Sequence, residues 1–195
     1  MYLKNPLLLM TMICISGNTI VHPSTSIAQS NITFQEPVEE YTMLKIGDKA
    51  PNFELKDDQG NPQSLSMYKG KKLVLYFYPK DNTPGCTAQA CNIRDNYEQL
   101  QTAGIHILGI SVDDQASHLK FKQKHQLPFP LLIDDEKSMV NGYGVWGEKK
   151  FMGKTYMGTS RITFLINENG VIEHIINKVA TKDHVQQILD AWEIK

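Results

Sequence analysis

Two kinds of hydrophobic pattern follow one another along this chain. Residues 73–78 form an unbroken apolar run, which predicts a strand buried on both faces of a sheet, and residues 105–110, apolar apart from His106 and Gly109, predict a second buried strand. Between them, apolar residues recur at the spacing of a helix, and Gly104 closes that pattern. We therefore predict a helix from residue 84 to about residue 103, which crosses over the sheet between two parallel strands.

Shorter patterns predict the rest of the domain. Two antiparallel hairpins are expected, one pairing residues 53–56 with 63–65 and one pairing 162–166 with 171–176. The connection of the second hairpin contains Asn169-Gly170, a strong turn signal. The remaining expectations are a helix that ends before residue 128, a strand at 131–133, a short helix at 136–141, a basic, aromatic-bearing segment without an assigned strand at 149–158, and a closing helix at about 182–192.

The order of these elements is β-α-β-α-β-α-β-β-α. Helices between the early strands imply parallel pairing, whereas the last hairpin adds an antiparallel edge. The pattern alone therefore predicts an α/β or α+β fold, with a mixed central sheet flanked by helices and an N-terminal hairpin extension.

The first 30 residues differ from the rest of the chain. Lys4 is the only acidic or basic charge among them, an apolar stretch covers residues 7–15, and Ser26-Ile27-Ala28 offers small residues for signal peptidase. The predicted organisation is a cleavable signal peptide at 1–28, a polar linker at 29–43 and a single domain at 44–195. An uncleaved anchor is the alternative, although the apolar run is shorter than the roughly 20 residues that span a membrane.

A cleaved signal peptide implies an exported, periplasmic protein, and a non-functional N-terminal segment would leave it cytoplasmic. Cys14 lies in the apolar stretch, but Met12 and Ile13 are not the small residues that precede a lipidated cysteine. We expect Cys14 to be removed with the signal peptide, and no stable membrane insertion after processing.

Composition excludes several classes of function. The formal net charge is −1 and neither sign clusters, which argues against a nucleic-acid surface and against a polybasic membrane patch. Two cysteines remain after processing, too few for a disulfide-stapled scaffold. No histidine or second cysteine pair stands at zinc-ligand spacing beside them, and we expect neither a metal nor another cofactor.

The most informative cysteine is Cys86, which follows a buried strand after a short loop. Thr83 and Pro84 suit the N-cap and first position of a helix, and this register places Cys86 at the third helical position. Free backbone N–H groups and the positive end of the helix dipole favour an anion there, and thiols at such positions are reactive. We expect a reactive thiol; a buried core cysteine or one half of a structural disulfide is the alternative.

Cys91 lies five residues after Cys86 on the same predicted helix. In an intact helix their Cα atoms are roughly 8–9 Å apart, whereas a disulfide needs about 4.4–6.8 Å. The two sulfurs can bond only if the start of the helix unwinds. This spacing favours a redox cycle over a permanent structural bond.

A fixed positive charge would favour a thiolate further, and arginine suits this purpose because it does not deprotonate. The chain has two arginines. Arg161 opens a predicted strand, where a charge needs a partner, and we interpret Arg94 as structural. The hydroxyl of Thr83 can also bond a thiolate.

Several of these motifs together resemble a known family. The sequences Y-F-Y-P-K at 76–80 and T-P-G-C-T at 83–87, followed by Cys91, closely resemble peroxiredoxins of the bacterioferritin comigratory protein type, also called the peroxiredoxin Q type. The similarity extends over about residues 44–195 and includes G-D-K-A-P-N-F at 47–53 and R-I-T-F-L-I at 161–166.

This resemblance implies a thioredoxin-like fold and the reduction of hydroperoxides by cysteine chemistry. Cys86 would be the peroxidatic cysteine and Cys91 the resolving cysteine. Arg161 matches the catalytic arginine of the family, and Pro79 matches the proline ahead of its active loop. With Thr83, Arg161 would orient the peroxide.

The expected partners follow from this chemistry. Hydrogen peroxide and organic hydroperoxides would be the substrates, and a thioredoxin-like dithiol would reduce the Cys86–Cys91 disulfide. A monomer is expected because both cysteines belong to one chain. The alternatives are a thioredoxin-fold disulfide oxidoreductase, which would favour a Cys-x-x-Cys motif that this sequence lacks, and a non-enzymatic exported domain with a structural disulfide.

Overall fold

A computed structural model describes residues 44–194, so that the predicted signal peptide and linker lie outside the described residues. The strands are β1 (Glu54–Asp57), β2 (Pro62–Ser64), β3 (Lys72–Phe77), β4 (Ile105–Ser111), β5 (Leu131–Ile133), β6 (Trp146–Phe151), β7 (Lys154–Thr159), β8 (Ile162–Ile166) and β9 (Ile172–Ile176). The α-helices are α1 (Pro84–Asp95), α2 (Tyr97–Thr102), α3 (Gln115–His125), α4 (Ser138–Gly142) and α5 (His184–Ala191), and a short 3₁₀ helix covers Leu65–Tyr68.

A mixed sheet forms the centre of the fold. Its seven strands have the order β2-β1-β5-β4-β3-β8-β9. Strands β3, β4 and β5 pair in parallel, as expected for strands joined by helices, while β3 pairs with β8 in the antiparallel direction. Both predicted hairpins are confirmed, β1–β2 at one edge of the sheet and β8–β9 at the other.

Strand β3 separates two hydrophobic cores. Its side chains alternate between the faces of the sheet, with Val74 and Tyr76 in one core and Leu73, Leu75 and Phe77 in the other. Helices α1, α2, α3 and α5 contribute buried residues to the first core, and α4 contributes to the second. The predicted burial of this strand on both faces is confirmed.

The long helix predicted after residue 84 is wrong in its length, because it is divided at Asn96. The side-chain amide of Asn96 donates to the carbonyl of Asn92 at 2.8 Å, one turn earlier, and this bond competes with the backbone ladder. Asn96 adopts φ −117° and ψ 19°, and α2 then begins at Tyr97. The predicted stop is correct, because Gly104 follows α2 with a left-handed φ of 70°.

The segment without an assigned strand forms a second, two-stranded sheet of β6 and β7. The two residues that join the strands, Met152 and Gly153, have φ of 48° and 76°, as a two-residue hairpin turn requires. Methionine is a weak signal for such a turn. Met152, Tyr156 and Met157 are also largely exposed, so the hairpin lacks the alternation of a half-buried strand.

No helix within residues 44–194 combines the length and the apolar character needed to span a membrane.

Gly109, in the middle of β4, provides a test of core packing. A Cβ atom at this position would lie 2.5 Å from the Tyr76 hydroxyl oxygen and 2.7 Å from the Leu131 side chain. We expect Gly109→Ala to lower the free energy of unfolding by about 1–3 kcal/mol, because the surrounding core must shift to accept one methyl group. Urea denaturation measures the difference.

Gly142, at the end of α4, is the matched control, since a Cβ there would have no heavy atom within 4 Å. We expect Gly142→Ala to be neutral or slightly stabilising. Equal losses in the two variants would contradict the close approach at Gly109.

Candidate active site

Cys86 lies in the first turn of α1, as predicted. The helix begins at Pro84 with Thr83 as its N-cap residue, so Cys86 is the third helical residue. Its side chain is buried, and 2% of the residue is exposed. The backbone N–H groups of a first turn lack helical partners and stabilise negative charge, which makes this position suitable for a thiolate.

Arg161 contacts the sulfur directly. Its Nη2 atom donates to the Sγ atom of Cys86 at 3.2 Å. Arg161 stands immediately before β8, and this strand pairs with β3, from which the chain enters the Cys86 loop. A Cβ atom at Gly85 would approach Nη2 to 3.3 Å, so the glycine before Cys86 leaves room for the guanidinium.

Thr83 occupies the N-cap position, as predicted, but its hydroxyl does not cap the helix. The Oγ1 atom donates to the carbonyl oxygen of Lys80 at 3.0 Å, within the loop, and makes no side-chain bond to the helix. The lone pairs of this hydroxyl can therefore accept a hydrogen bond from a ligand. Within residues 44–194, no hydrogen bond joins Thr83 to Cys86, and Pro79 stands exposed at the start of the loop.

Cys91 lies on the same intact helix as Cys86, and both are free thiols. Its half-buried sulfur is 4.0 Å from Nδ1 of His125. Arg94 donates to the backbone carbonyl of His125 at 2.8 Å and pairs with Asp95, which is a structural arrangement, as interpreted from the sequence. Burial, together with the charges of Lys124 and Arg94, lowers the pKa of His125.

A buried polar chain extends from Arg161 away from the sulfur. Its Nη1 atom donates to Oε1 of Gln89. The Nε2 atom of Gln89 lies 3.1 Å from Nδ1 of His184, and Nε2 of His184 lies 3.0 Å from Oγ1 of Thr163. Gln89, His184 and Thr163 are completely buried.

Sequence reasoning did not identify His184 or Thr163 as site residues, and it left Gln89 without a role. The signal that was available is positional: His184 opens an amphipathic helix, with Val185, Ile188 and Leu189 of that helix in the core. A histidine on such a face needs buried partners, but the sequence does not say which. Burial, and secondarily the charge of Arg161, lowers the pKa of His184 to about 3, so the ring is neutral at physiological pH.

The loop before Cys86 is held by Asp81. Its carboxylate accepts from the Tyr78 hydroxyl at 2.8 Å, the Ser117 hydroxyl at 2.8 Å and Nδ1 of His118 at 2.9 Å. Burial acts to raise the pKa of Asp81, but the His118 contact and the two hydroxyl bonds together lower it. The backbone N–H of Asp81 also donates to Asp113 at 2.9 Å, so the loop is fixed against α3 and the segment before it.

Comparison with known proteins assigns this arrangement to a family. Residues 46–175 match the AhpC/TSA family. This chain belongs to that family. It is 51% identical to peroxiredoxin Bcp of Bacillus subtilis over 146 residues, which cover 75% of this chain and 93% of the relative. Identity to peroxiredoxin Bcp of Escherichia coli is 46% over 147 residues, covering 75% and 94%.

Solved peroxiredoxin structures share the fold. Peroxiredoxin Q of Xanthomonas campestris superposes with a TM-score of 0.68 at 34% identity, covering 72% of this chain and 89% of that one. A cysteine-to-serine mutant of PrxQ from Xylella fastidiosa gives 0.73 at 30% identity, covering 78% and 97%. The thioredoxin-like fold and the peroxiredoxin resemblance are therefore confirmed, and the chain is a thiol peroxidase of this family.

Between residues 44 and 194, no three His, Cys, Asp or Glu side chains form a group that could hold a metal ion.

The Asp81 contacts generate a stability prediction. We expect Asp81→Asn to lower the free energy of unfolding by about 3 kcal/mol at pH 7, because it removes a carboxylate that holds Tyr78, Ser117 and His118 in a buried site. A lowered carboxyl pKa contributes stability above its unfolded value of about 3.9 and loses it as pH falls through the folded pKa. The difference between wild type and variant should therefore shrink in acid, measured by urea denaturation at pH 7 and in acid.

Asp95→Asn is the control, because Asp95 pairs with Arg94 at the surface with 60% of its side chain exposed. Such a pair contributes at most about 1 kcal/mol. A loss at Asp81 no larger than the loss at Asp95, or one that does not change with pH, would contradict the role given to the Asp81 carboxylate.

Proposed function

We propose that Cys86 is the peroxidatic cysteine of a hydroperoxide reductase. Its thiolate attacks the O–O bond of the substrate, forms an S–O bond and becomes a sulfenic acid, while the departing oxygen takes a proton and leaves as water or an alcohol. The observation that supports this most directly is the 3.2 Å bond from Arg161 to the Cys86 sulfur at a helix N-terminus. Both features favour the anionic nucleophile.

Arg161 and Thr83 would position the peroxide. During the reaction, negative charge shifts from the sulfur to the leaving oxygen. The Arg161 guanidinium can donate to both atoms, so it would stabilise this charge in the transition state as well as in the thiolate. The lone pairs of the Thr83 hydroxyl can accept a hydrogen bond from the O–H of the hydroperoxide, since the Thr83 hydroxyl itself donates to the Lys80 carbonyl. Pro79 has no N–H to donate and would keep the loop entrance rigid.

Cys91 would then resolve the sulfenic acid. Its sulfur attacks Cys86, the S–O bond breaks, and the hydroxyl leaves as water with the thiol proton, giving a Cys86–Cys91 disulfide. Because both residues lie on the intact α1 helix, their Cα atoms are roughly 8–9 Å apart, so the first turn must unwind before the bond forms.

A thioredoxin-like dithiol would return both thiols by exchange, and hydrogen peroxide and organic hydroperoxides would both be substrates. One chain holds both cysteines, so a monomer is sufficient for the cycle. The two free cysteines on an intact helix favour this function over a permanent structural disulfide, and their spacing differs from the Cys-x-x-Cys of a disulfide oxidoreductase.

The N-terminal pattern supports export. We propose cleavage after Ala28 and a periplasmic location for the mature enzyme. An exported peroxidase has no direct access to cytosolic thioredoxin, so its reductant would be a dithiol protein on the same side of the membrane.

The two cysteines make different predictions. We expect Cys86→Ser to abolish peroxide consumption, because no other nucleophile in the described site contacts Arg161. We expect Cys91→Ser to consume one equivalent of peroxide and then stop as the Cys86 sulfenic acid. Mass spectrometry of the reduced protein after stoichiometric peroxide distinguishes the disulfide from the sulfenic acid.

Cys14→Ser is the control and should behave as wild type, because Cys14 lies outside the proposed mature chain. Peroxide consumption that survives Cys86→Ser would refute the assignment. A Cys91→Ser enzyme that still turns over with the reductant would show that another thiol resolves Cys86.

The export proposal predicts the mass of the protein. Expression in a bacterium with the native N-terminus should give a periplasmic protein that begins at Gln29, measured by fractionation and intact mass. A full-length protein in the cytoplasm would contradict cleavage. A mass that includes a lipid on Cys14 would contradict release into the periplasm and show a lipid-anchored protein instead.

A further inference from the structure

Arg161 is held by Gln89, whose side-chain amide could be oriented in either of two ways. Arg161 uses Nη2 for Cys86 and Nη1 for Oε1 of Gln89. The two ends of a glutamine amide are nearly the same size, so an unassisted Gln89 could present either its oxygen or its NH₂ group. Only the oxygen can accept from a guanidinium, which donates and never accepts.

His184 constrains the amide from its other end. With the oxygen of Gln89 facing Arg161, its NH₂ group faces Nδ1 of His184 at 3.1 Å, and this nitrogen must be the unprotonated one. The proton is then on Nε2, which donates to Oγ1 of Thr163 at 3.0 Å. In this neutral tautomer, the ring accepts a hydrogen bond from Gln89 and donates one to Thr163.

The location of His184 is itself fixed from two directions. Asn92, one turn after Gln89 on α1, accepts from the backbone N–H of Val185 at 2.9 Å and donates to the carbonyl of Lys182 at 3.0 Å. These bonds hold the start of α5 against α1. Thr163 lies on β8, two residues after Arg161, so the chain of hydrogen bonds returns to the strand that carries the arginine.

We propose that His184 is a positioning residue, which orients the Gln89 amide and thereby holds Arg161 against the Cys86 sulfur. This inference rests on the proposed roles of Cys86 and Arg161 and extends them to a residue on the last helix. His184 touches neither the sulfur nor the arginine through a hydrogen bond, so its effect on the reaction passes through Gln89. Its neutral form, which burial and the Arg161 charge both favour, is the form this arrangement requires.

Two substitutions of His184 distinguish a positioning role from a role in filling the core. His184→Asn is smaller than histidine but keeps an acceptor for Gln89, whereas His184→Phe keeps the ring but has no acceptor. We expect His184→Phe to lower kcat/KM for hydrogen peroxide about tenfold, the loss of roughly one hydrogen bond, and His184→Asn to lower it less. A space-filling role gives the opposite order, because phenylalanine fills the site better.

Two further readouts report on the arginine. The Cys86 thiolate signal is the part of the ultraviolet absorbance that the Cys86→Ser substitution removes. We expect this signal to titrate at higher pH in His184→Phe than in wild type. In an Arg161→Lys background, His184→Phe should cause no further loss of kcat/KM, because residues that act through one another are not additive. His174→Phe, at a half-buried position on β9, is the control and should match wild type in both measurements.

If His184→Phe does not fold, Thr163→Val replaces it, since it removes the acceptor of the ring N–H at nearly constant volume. The same loss and the same titration shift are expected. The proposal is overturned if His184→Phe is at least as active as His184→Asn, or if its loss is undiminished in the Arg161→Lys background. If Arg161→Lys alone has no effect, the proposed role of Arg161 has failed, and this inference fails with it.

Discussion

The 3.2 Å contact between the Arg161 guanidinium and the Cys86 sulfur is the interaction on which the site depends. Cys86 is almost completely buried, and an isolated anion in such a place would be strongly unfavourable. A helix N-terminus and a fixed cation would offset that penalty with dipoles and charge that are already in place, so the proposed reaction of the thiolate would need little reorganisation. A lysine would supply the charge but not a planar fork that reaches both Cys86 and Gln89.

The fold can be understood as the means of bringing these two groups together. They are far apart in sequence, and the antiparallel pairing of β3 with β8 puts the end of one strand beside the start of the other. The Cys86 loop leaves from the first strand and Arg161 precedes the second. Both strands carry core residues on each face, which makes their relative position difficult to change. The geometry of the site therefore rests on the most deeply buried part of the sheet.

The sequence predicted those parts of the molecule in which one local signal dominates. The apolar runs of β3 and β4, the Thr83-Pro84 helix start and the Asn169-Gly170 turn are all found as expected. The failures have separate physical causes, none of which the hydrophobic pattern reports. Asn96 divides a helix through one side-chain bond, and the chain from Gln89 to His184 joins residues 95 positions apart. In the β6–β7 hairpin, exposed apolar side chains such as Tyr156 and Met157 hide any periodic signal.

The proposed cycle requires the first turn of α1 to be helical at one stage and unwound at another, and the contacts around this turn are compatible with both states. The turn must be helical to hold Cys86 beside Arg161, and it must unwind for Cys91 to reach the oxidised sulfur. Asp81 anchors the loop before the turn, and Asn92 anchors the helix after it. Between these anchors, Thr83 provides no side-chain cap, and short helical segments have little stability of their own. The bond from Arg161 to the sulfur adds a restraint on the turn, and conversion of the thiolate to a neutral sulfenic acid in the proposed cycle would weaken it. Oxidation itself would therefore favour the unwinding that resolution requires.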